Sequence, residues 1–313
     1  MRGIDYVIVQ NSKTTFLSTL NAYIALTKPK IIILLLMTSV GGMFLAKQGV
    51  PNIVLIAIVL LGGSLAAAGA NAINQYLEKD IDSMMSRTSK KRPLVSESIP
   101  SSHALVFGLL TNLLAFGLMW VLVNPESAIL TMSASVFYIF IYTMILKRRT
   151  PQNIVIGGAA GAIPPLVGWV AVRGYEGLYE LAPAICLFII IFVWTPPHFW
   201  ALSLILKDDY RLAQIPMLPV VVGIQRTKWA ILRYTVVLVA ITLLTYWAFR
   251  DTFGPIYLIS CLILGVVFIG YVVKLLRTEG INGAKKLYLF SIAYLGVIFI
   301  AIIIDSVLFE LKY

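Results

Sequence analysis

The chain has 313 residues, of which 59% are hydrophobic and only 12% are charged, and its mean hydropathy is +0.90. A soluble domain would carry about a quarter charged residues, so this composition excludes an ordinary water-soluble protein and indicates a membrane protein. The net charge of +11 comes from short basic segments between apolar runs, a pattern typical of membrane topology and not of a nucleic-acid-binding domain.

Apolar runs long enough to cross about 30 Å of hydrocarbon occur nine times along the chain. The predicted spans are residues 31–50, 53–78, 103–123, 127–146, 153–172, 181–206, 228–249, 255–276 and 286–309. The fifth is the weakest, because glycines and prolines interrupt it. We therefore predict an all-α, polytopic integral membrane bundle of nine transmembrane helices around a central cavity. It would form a single domain over residues 1–313, with an N-terminal cytoplasmic segment at residues 1–25.

The distribution of basic residues predicts the orientation of the chain. If the N-terminus is cytoplasmic, 21 of the 25 lysines and arginines lie in cytoplasmic segments. The four that fall outside are Lys47, Arg173, Arg250 and Lys312. Cytoplasmic loops are enriched in lysine and arginine, so we expect a cytoplasmic N-terminus.

Polar side chains appear at helical spacing where the second span ends. Asn71, Asn74, Glu78 and Asp82 recur every three or four residues, so they form one stripe along about three turns of a helix. Carboxylates near hydrocarbon are costly and usually belong to a functional site. Several basic residues follow directly. Carboxylates bordered by cations suit a divalent metal that carries a polyphosphate.

A second acidic cluster lies at the end of the sixth span. Asp208 and Asp209 stand there, with Lys207 and Arg211 on either side. The second and sixth spans run in the same direction, so their acidic residues lie at matching depth. This arrangement indicates two parallel halves that face each other across a cavity.

His198 follows the Pro196–Pro197 pair inside the sixth span. On a continuous helix, its eleven-residue separation from Asp209 would place both side chains on one face, about 17 Å apart. His198 could then contact an apolar substrate, ligate a haem iron or transfer a proton. An equally good explanation is that it caps the backbone groups freed by the two prolines.

Three other charged residues have simpler explanations. We expect Asp80, which points away from the acidic stripe, to pair with a basic residue at the headgroups. Lys28 is expected to mark the interfacial start of the first span, although a cation there could also meet an anionic substrate. Asp305 lies near the opposite interface, where a carboxylate needs no special role.

Two segments resemble the motifs of a known superfamily. Residues 74–82, NQYLEKDID, resemble the NDxxDxxxD motif of UbiA-type intramembrane prenyltransferases, and residues 208–223 resemble their second acidic motif. Gln75 and Glu78 stand where that motif has aspartate. Within the superfamily, the chain is similar to the protohaem IX farnesyltransferases, or haem O synthases, over about residues 20–300. The segments that carry this similarity are 26–46, 80–94, 194–204 and 208–220.

The resemblance implies a reaction and a set of roles. Farnesyl diphosphate, protohaem IX and water would give haem O and diphosphate, with Mg²⁺ as cofactor. The implied enzyme lies in the lipid bilayer of a prokaryotic cell membrane, with its active site open to the cytoplasm. Its partners could include a haem A synthase or terminal oxidase assembly proteins. The implied catalytic and metal-binding residues are Asn74, Glu78, Asp82, Asp208 and Asp209; the diphosphate-binding residues are Arg87, Lys91, Lys207 and Arg211; and the haem-side residue is His198.

Other functions are compatible with part of the sequence. An ion-coupled transporter also uses paired intramembrane carboxylates, but these are expected near the bilayer midplane and not at helix ends. A binding or assembly protein for a respiratory oxidase would not require a metal–diphosphate site. A prenyltransferase of quinone or chlorophyll synthesis is the nearest alternative among enzymes.

Overall fold

The computed structural model describes residues 16–311, and all regular secondary structure in that range is helical. The all-α fold predicted from the sequence is confirmed. The helices are α1 (Phe16–Thr27), α2 (Pro29–Lys47), α3 (Ile53–Leu77), α4 (Lys79–Met84), α5 (Ser86–Ser89), α6 (Ser101–Leu122), α7 (Pro125–Val136), a π-helical segment (Phe137–Leu146), α8 (Asn153–Ala162), α9 (Pro164–Arg173), α10 (Leu178–Ile205), α11 (Lys207–Leu212), α12 (Leu218–Val221), α13 (Gly223–Ala248), α14 (Pro255–Arg277) and α15 (Ala284–Glu310).

Nine segments of residues 16–311 are long and apolar enough to cross a membrane, as the sequence predicts. In chain order they are α2, α3, α6, α7 with the π-helical segment, α8 with α9, α10, α13, α14 and α15. Every predicted boundary lies within five residues of the observed one. Apolar run length is a reliable signal because each span must satisfy its own backbone inside hydrocarbon.

Helix α1 begins in the N-terminal segment that the sequence analysis assigned to residues 1–25 and ends two residues beyond it, at Thr27; residues 1–15 are outside the described range. Two amide side chains of α3 form hydrogen bonds with the last turn of α1. Asn71 Nδ2 donates to Thr27 O (2.9 Å), and Gln75 Nε2 donates to Leu26 O (2.8 Å). These bonds satisfy carbonyl groups that a helix end leaves free. Gln75, which replaces an aspartate of the superfamily motif, therefore supplies an N–H donor that aspartate lacks.

The fifth span is interrupted at Ile163, immediately before the prolines at 164–165, but it still crosses as α8 and α9. Glycines in this span and in α2 allow close helix packing. A Cβ atom on Gly168 would collide with the backbone carbonyl of Ser39, and one on Gly42 would collide with the backbone of Pro165. Helices α2 and α9 are therefore in direct backbone contact, which is common where small residues line a membrane interface.

The largest core cluster joins α10, α13, α14 and α15, and it includes several fully buried aromatic side chains. Among them are Tyr257, Phe268, Tyr294 and Phe299. By contrast, the outer face of α6 exposes large aliphatic residues over several turns, including Leu109, Leu110, Leu113 and Leu114. An apolar outer surface around a packed interior fits contact with lipid.

Asp305 has a structural role that the sequence analysis did not foresee. The side chain is buried, and it accepts hydrogen bonds from the backbone N–H groups of Ile256 (3.2 Å) and Tyr257 (2.6 Å). The carboxylate of α15 therefore caps the N-terminus of α14. The expectation that this residue needs no special role is wrong.

Short helices after α3 and α10 carry the two acidic motifs. Helix α3 ends at Leu77, and Glu78 has non-helical dihedral angles (φ −112°, ψ 17°) before α4 begins. The backbone nevertheless continues the helical bonding, from Glu78 N to Asn74 O (3.0 Å) and from Asp82 N to Glu78 O (2.8 Å). The predicted stripe therefore survives the break.

The break after α10 is of the same kind. Helix α10 ends at Ile205, and Leu206 (φ −100°, ψ 20°) separates it from α11. His198 and Asp209 are thus on different helices. The backbone bonds continue across this break as well, from Leu206 N to Leu202 O (3.1 Å) and from Tyr210 N to Leu206 O (3.0 Å). The shared face and the separation of about 17 Å stay predictions.

Candidate active site

Glu78 is buried and forms a short ion pair with the end of the fourth span. Lys147 Nζ donates to Glu78 Oε2 at 2.6 Å, and the exposed fractions of the two side chains are 14% and 4%. Burial acts to lower the pKa of Lys147, but the neighbouring Glu78 carboxylate outweighs it, so this pKa lies above its usual range. Among the residues that the structure describes, the buried Glu78 Oε1 has no hydrogen-bond partner. A buried carboxylate oxygen without a partner is costly, and it is free to bind a cation.

Asp82 is also buried, and its nearest cation comes from the loop that follows it. Arg92 Nε lies 3.4 Å from Asp82 Oδ2, while the Arg92 side chain is only 18% exposed. The loop is held against the motif because Thr88 Oγ1 donates to Asp82 O (2.8 Å). The sequence analysis did not assign Arg92 to the site.

Asn74, one turn before Glu78, binds the cation that precedes the first span. Lys28 Nζ donates to Asn74 Oδ1 at 2.8 Å. The backbone of Lys28 is left-handed (φ 53°), an unusual conformation for a residue other than glycine, and it allows the chain to turn from α1 into α2. Burial, followed by the nearby charge of Arg92, lowers the pKa of Lys28 to about 7. Lys28 therefore belongs to the site and is not merely an interfacial residue.

The second acidic motif meets the first through Ser86. Ser86 Oγ lies 2.8 Å and 2.9 Å from the two carboxylate oxygens of Asp209. This contact confirms that the two motifs come together. Asp208 points elsewhere, since its side chain is 87% exposed and lies 3.6 Å from Arg211. Tyr210 is buried between the motifs, where burial raises its pKa and the charges of Lys147 and Arg87 act to lower it.

The remaining predicted cations lie at the rim. Arg87 and Lys91 are exposed, and Lys207 is partly buried at the first position of α11. Arg87 is close enough to influence the pKa of Tyr210. None of the three forms an ion pair within residues 16–311.

Asp80 pairs with a basic residue outside the acidic stripe, as predicted. Both of its carboxylate oxygens accept hydrogen bonds from the guanidinium group of Arg148 at 2.8 Å. This bond holds the pKa of Asp80 below its usual value. A surface cleft of about 530 Å³ opens on this side of the motif, and no predicted metal, diphosphate or haem residue lines it. The lining residues are Tyr76, Leu77, Lys79, Asp80, Ser83 and Val95.

A sequence profile of the UbiA prenyltransferase family matches residues 34–301. The chain belongs to this family. It is 45% identical over 293 residues to a protein named protoheme IX farnesyltransferase from Roseiflexus sp. (strain RS-1). The aligned residues cover 93% of this chain but 53% of that relative. It is 48% identical over 255 residues to a protein of the same name from Gloeothece citriformis, covering 81% and 77% of the two chains. The chain thus spans about half the length of the first relative. The predicted resemblance is confirmed.

Solved structures of UbiA-type proteins share this fold. A digeranylgeranylglyceryl phosphate synthase structure has a TM-score of 0.74 at 21% identity, covering 92% of this chain and 99% of that one. A UbiA homologue from Archaeoglobus fulgidus, bound to DMAPP and Mg²⁺, has a TM-score of 0.63 at 15% identity, covering 91% and 98%. Similarity at this level of identity establishes the membrane-embedded UbiA fold.

The donor set of this UbiA chain fits a magnesium ion that is shared with a substrate. In residues 16–311, no three acidic, histidine or cysteine side chains converge closely enough to hold a metal by themselves. Magnesium in phosphate-transfer sites is usually held by one or two carboxylates, and substrate phosphates and water complete its coordination. The unpartnered oxygen of Glu78 and the carboxylate of Asp209 are donors of the required type. The protein by itself thus supplies a partial site.

His198 lies in an aromatic cluster away from these carboxylates. Its ring stacks against Trp194 (4.4 Å between centroids) and Tyr288 (4.8 Å), and its Nδ1 lies 2.7 Å from Ser291 Oγ. Within the described part of the chain, its side-chain hydrogen bond goes to Ser291 and not to the backbone near the two prolines. The side chain therefore connects α10 to α15, and the explanation that it caps freed backbone groups is wrong.

Four residues of the site were absent from the predicted set: Lys28, Arg92, Lys147 and Tyr210. The first three occur in segments that the charge distribution already assigns to the same side of the membrane as the acidic motifs. That shared depth was the available signal. Depth alone could not identify these three residues, because nearly all basic residues of the chain lie on the same side of the membrane.

Proposed function

We propose that this UbiA-family chain is a membrane-embedded farnesyltransferase. It transfers the farnesyl group of farnesyl diphosphate to a vinyl side chain of protohaem IX with addition of water, and it releases haem O and diphosphate. The names of the curated relatives, at 45% and 48% identity, support this reaction. The structural observation that carries the proposal is the meeting of two acidic motifs beside three cations that are mostly withdrawn from solvent.

The balance of charge at this site suits a diphosphate. Lys28, Arg92 and Lys147 face the first motif, and only two carboxylates, Glu78 and Asp82, oppose them there. The cations bind an anionic leaving group because their charge is not fully neutralised by the protein. Arg87, Lys91, Lys207 and Arg211 would then attract the diphosphate at the rim and guide it inward.

Magnesium is the proposed cofactor. Glu78, Asp82 and Asp209 would hold it together with the substrate phosphates, and Asn74 Oδ1 would face it where Lys28 now binds. Asp208 would join them only after turning inward from its exposed position. The bound ion supplies positive charge that stabilises the leaving diphosphate.

The proposed transfer needs no protein nucleophile. The bond between the allylic carbon and the diphosphate oxygen breaks, and its electron pair stays with the diphosphate. The terminal vinyl carbon of the haem then bonds to the allylic carbon, which leaves a cation on the carbon next to the porphyrin. Water adds there and loses one proton. The apolar interior limits premature capture of the farnesyl cation by water.

The proposed setting is the plasma membrane of a prokaryote, with a single domain over residues 1–313, a cytoplasmic N-terminus and an active site that opens to the cytoplasm. A haem A synthase or assembly proteins of a terminal oxidase are proposed partners. The distribution of basic residues supports this orientation. Both acidic motifs and their cations lie on the side of the bundle where most of the lysine and arginine residues occur.

Reporter fusions test the orientation. Tags inserted at Lys90 and after Arg149 should report a cytoplasmic location, and tags at Glu126 and Glu176 an external one, because of the 21-to-4 partition of basic residues. Labelling with a membrane-impermeant reagent measures the location. A cytoplasmic signal at Glu126 would contradict this topology.

Product analysis tests the reaction. Purified protein in detergent is incubated with protohaem IX, farnesyl diphosphate and Mg²⁺, and the haem products are separated and weighed by mass spectrometry. We expect a haem that has gained one farnesyl group and one water. Prenylation of an aromatic quinone precursor without any modified haem would contradict the proposal and favour the quinone-pathway alternative.

Separate binding measurements test the two proposed ends of the site. We expect His198→Phe to weaken protohaem binding and to preserve Mg²⁺-dependent binding of farnesyl diphosphate, because phenylalanine keeps the ring stack and removes both nitrogens. Arg87→Ala should do the reverse, since its proposed partner is the diphosphate. Each ligand is titrated alone, with haem followed by absorption. If His198→Phe changes neither binding nor turnover, the histidine serves packing only.

A further inference from the structure

Helices α3 and the π-helical segment form two matched polar contacts. Asn74 Nδ2 donates to Thr143 Oγ1 (3.1 Å), and one turn later Lys147 Nζ donates to Glu78 Oε2 (2.6 Å). The two partners are 69 residues apart in both contacts. The helices run in the same direction, as the ends of the second and fourth spans must, so each turn of one meets a turn of the other.

The π-helical backbone determines what the Thr143 hydroxyl can do. Thr143 Oγ1 donates to the carbonyl of Tyr138 (2.9 Å), five residues earlier, and Lys147 N donates to Tyr142 O with the same spacing. In an α-helix, a threonine hydroxyl bonds a carbonyl three or four residues earlier. A hydroxyl has one proton, and this one is committed to Tyr138. Thr143 Oγ1 can therefore only accept a hydrogen bond from Asn74.

This constraint selects one orientation of the Asn74 amide. Thr143 needs a donor, so the Nδ2 group must face it, and Oδ1 then faces Lys28 (2.8 Å). The reversed amide would place two acceptors together at Thr143 and two donors together at Lys28. Asn74 and Thr143 are each only 3% exposed, so water cannot replace the missing bonds.

We propose that Thr143 is a positioning residue, which fixes the Asn74 amide so that its oxygen faces the metal–diphosphate site. This inference rests on the proposed function. Outer partners of this kind orient metal ligands, and their loss typically costs about 10–100-fold in metal affinity or activity. The π-helical segment contributes to this positioning, because it supplies the carbonyl group of Tyr138, which accepts the hydrogen bond from the Thr143 hydroxyl. Such segments often occur at functional sites.

Binding of farnesyl diphosphate without haem tests the proposal. The affinity is titrated calorimetrically in detergent at increasing Mg²⁺, and the melting temperature of ligand-free protein is measured in parallel. Thr143→Val should raise the Mg²⁺ concentration for half-maximal binding by about tenfold, while Thr143→Ser, which keeps the hydroxyl, should change it by less than about twofold. Thr143→Ala provides a second variant if valine prevents folding.

Thr245→Val is the matched control. This threonine is also 3% exposed. Its hydroxyl donates to a carbonyl of its own helix, Ile241 O (2.9 Å), and it also has a hydrogen-bond contact with the thiol of Cys186, outside the candidate site. It should leave the Mg²⁺ requirement unchanged. In an Asn74→Ala background, Thr143→Val should add no further change, because the side chain it positions is gone.

A Thr143→Val protein with a lower melting temperature and the Mg²⁺ requirement of the wild type would overturn the proposal and leave the proposed function intact. Wild-type protein that binds farnesyl diphosphate with Mg²⁺ but makes no haem O would contradict the proposed function. In that case the Thr143 measurement would still be valid, since it needs no haem.

Discussion

Asp209→Asn is expected to lower turnover by at least about tenfold at saturating Mg²⁺, and Asp82→Asn should do the same. Each substitution removes one negative charge from the proposed metal–diphosphate site and changes the size of the side chain little. Initial rates of haem O formation measure the effect. Helix content should stay near normal in Asp209→Asn, because an amide oxygen can still accept the hydrogen bond from Ser86. Asp82→Asn also leaves Arg92 without its ion-pair partner, so it should lower the melting temperature as well.

Two further variants sharpen this test. Asp208→Asn should lower turnover less than Asp209→Asn, because Asp208 is 87% exposed and pairs with Arg211. Glu97→Gln should have no effect on turnover, since its exposed carboxylate lies outside the candidate site and forms a surface pair with Lys79 at 3.9 Å. Near-normal turnover of both Asp82→Asn and Asp209→Asn would contradict the metal assignment.

Lys147→Met is expected to impair both stability and turnover. It leaves the carboxylate of Glu78 buried without its cation, and removal of one partner of a buried ion pair typically costs about 3–5 kcal/mol. Turnover should also fall by at least about tenfold, because a cation next to the leaving diphosphate is lost. Melting temperature and haem O formation are measured on the same preparation. Arg149→Met is the control, since its exposed side chain forms no ion pair in residues 16–311.

A double variant separates the two effects. Glu78→Gln combined with Lys147→Met removes both charges, so most of the lost stability should return. Turnover should remain low, because the proposed metal ligand is also neutral. Recovery of both properties would mean that the ion pair serves folding alone. A single Lys147→Met protein with normal stability and normal turnover would contradict the role assigned to the pair.

The positions of the spans and the acidic stripe follow from local sequence. Each membrane helix satisfies its own backbone bonds, so an apolar run of sufficient length specifies a span without reference to its neighbours. The stripe from Asn74 to Asp82 survived the helix break at Glu78, because the backbone bonds continue across it. The shared face of His198 and Asp209 stays a prediction, since the backbone bonds continue in the same way across the break at Leu206.

The cations that contact the first acidic motif could not be predicted in the same way. Lys28, Arg92 and Lys147 come from three separate segments, and nothing in their local sequence distinguishes them from other basic residues near the same interface. The sequence analysis favoured Arg87 and Lys91 because they follow the motif closely. In the structure, Arg87 and Lys91 lie at the exposed rim of the site. The cations that contact the motif are those that folding brings close to it in space.

By itself, the sequence determined the membrane class, the nine spans and the two acidic motifs, because hydrophobicity and helical spacing act over a few turns of one helix. The resemblance of those motifs to known ones indicated the UbiA family. Only the tertiary structure decided which cation meets which carboxylate, that Asp209 and not Asp208 faces the first motif, and that Thr143 orients Asn74. Those choices depend on how far one helix is rotated and shifted against the next. Such rotations follow from the packing of small residues, from the break at Leu206 and from the π-helical segment.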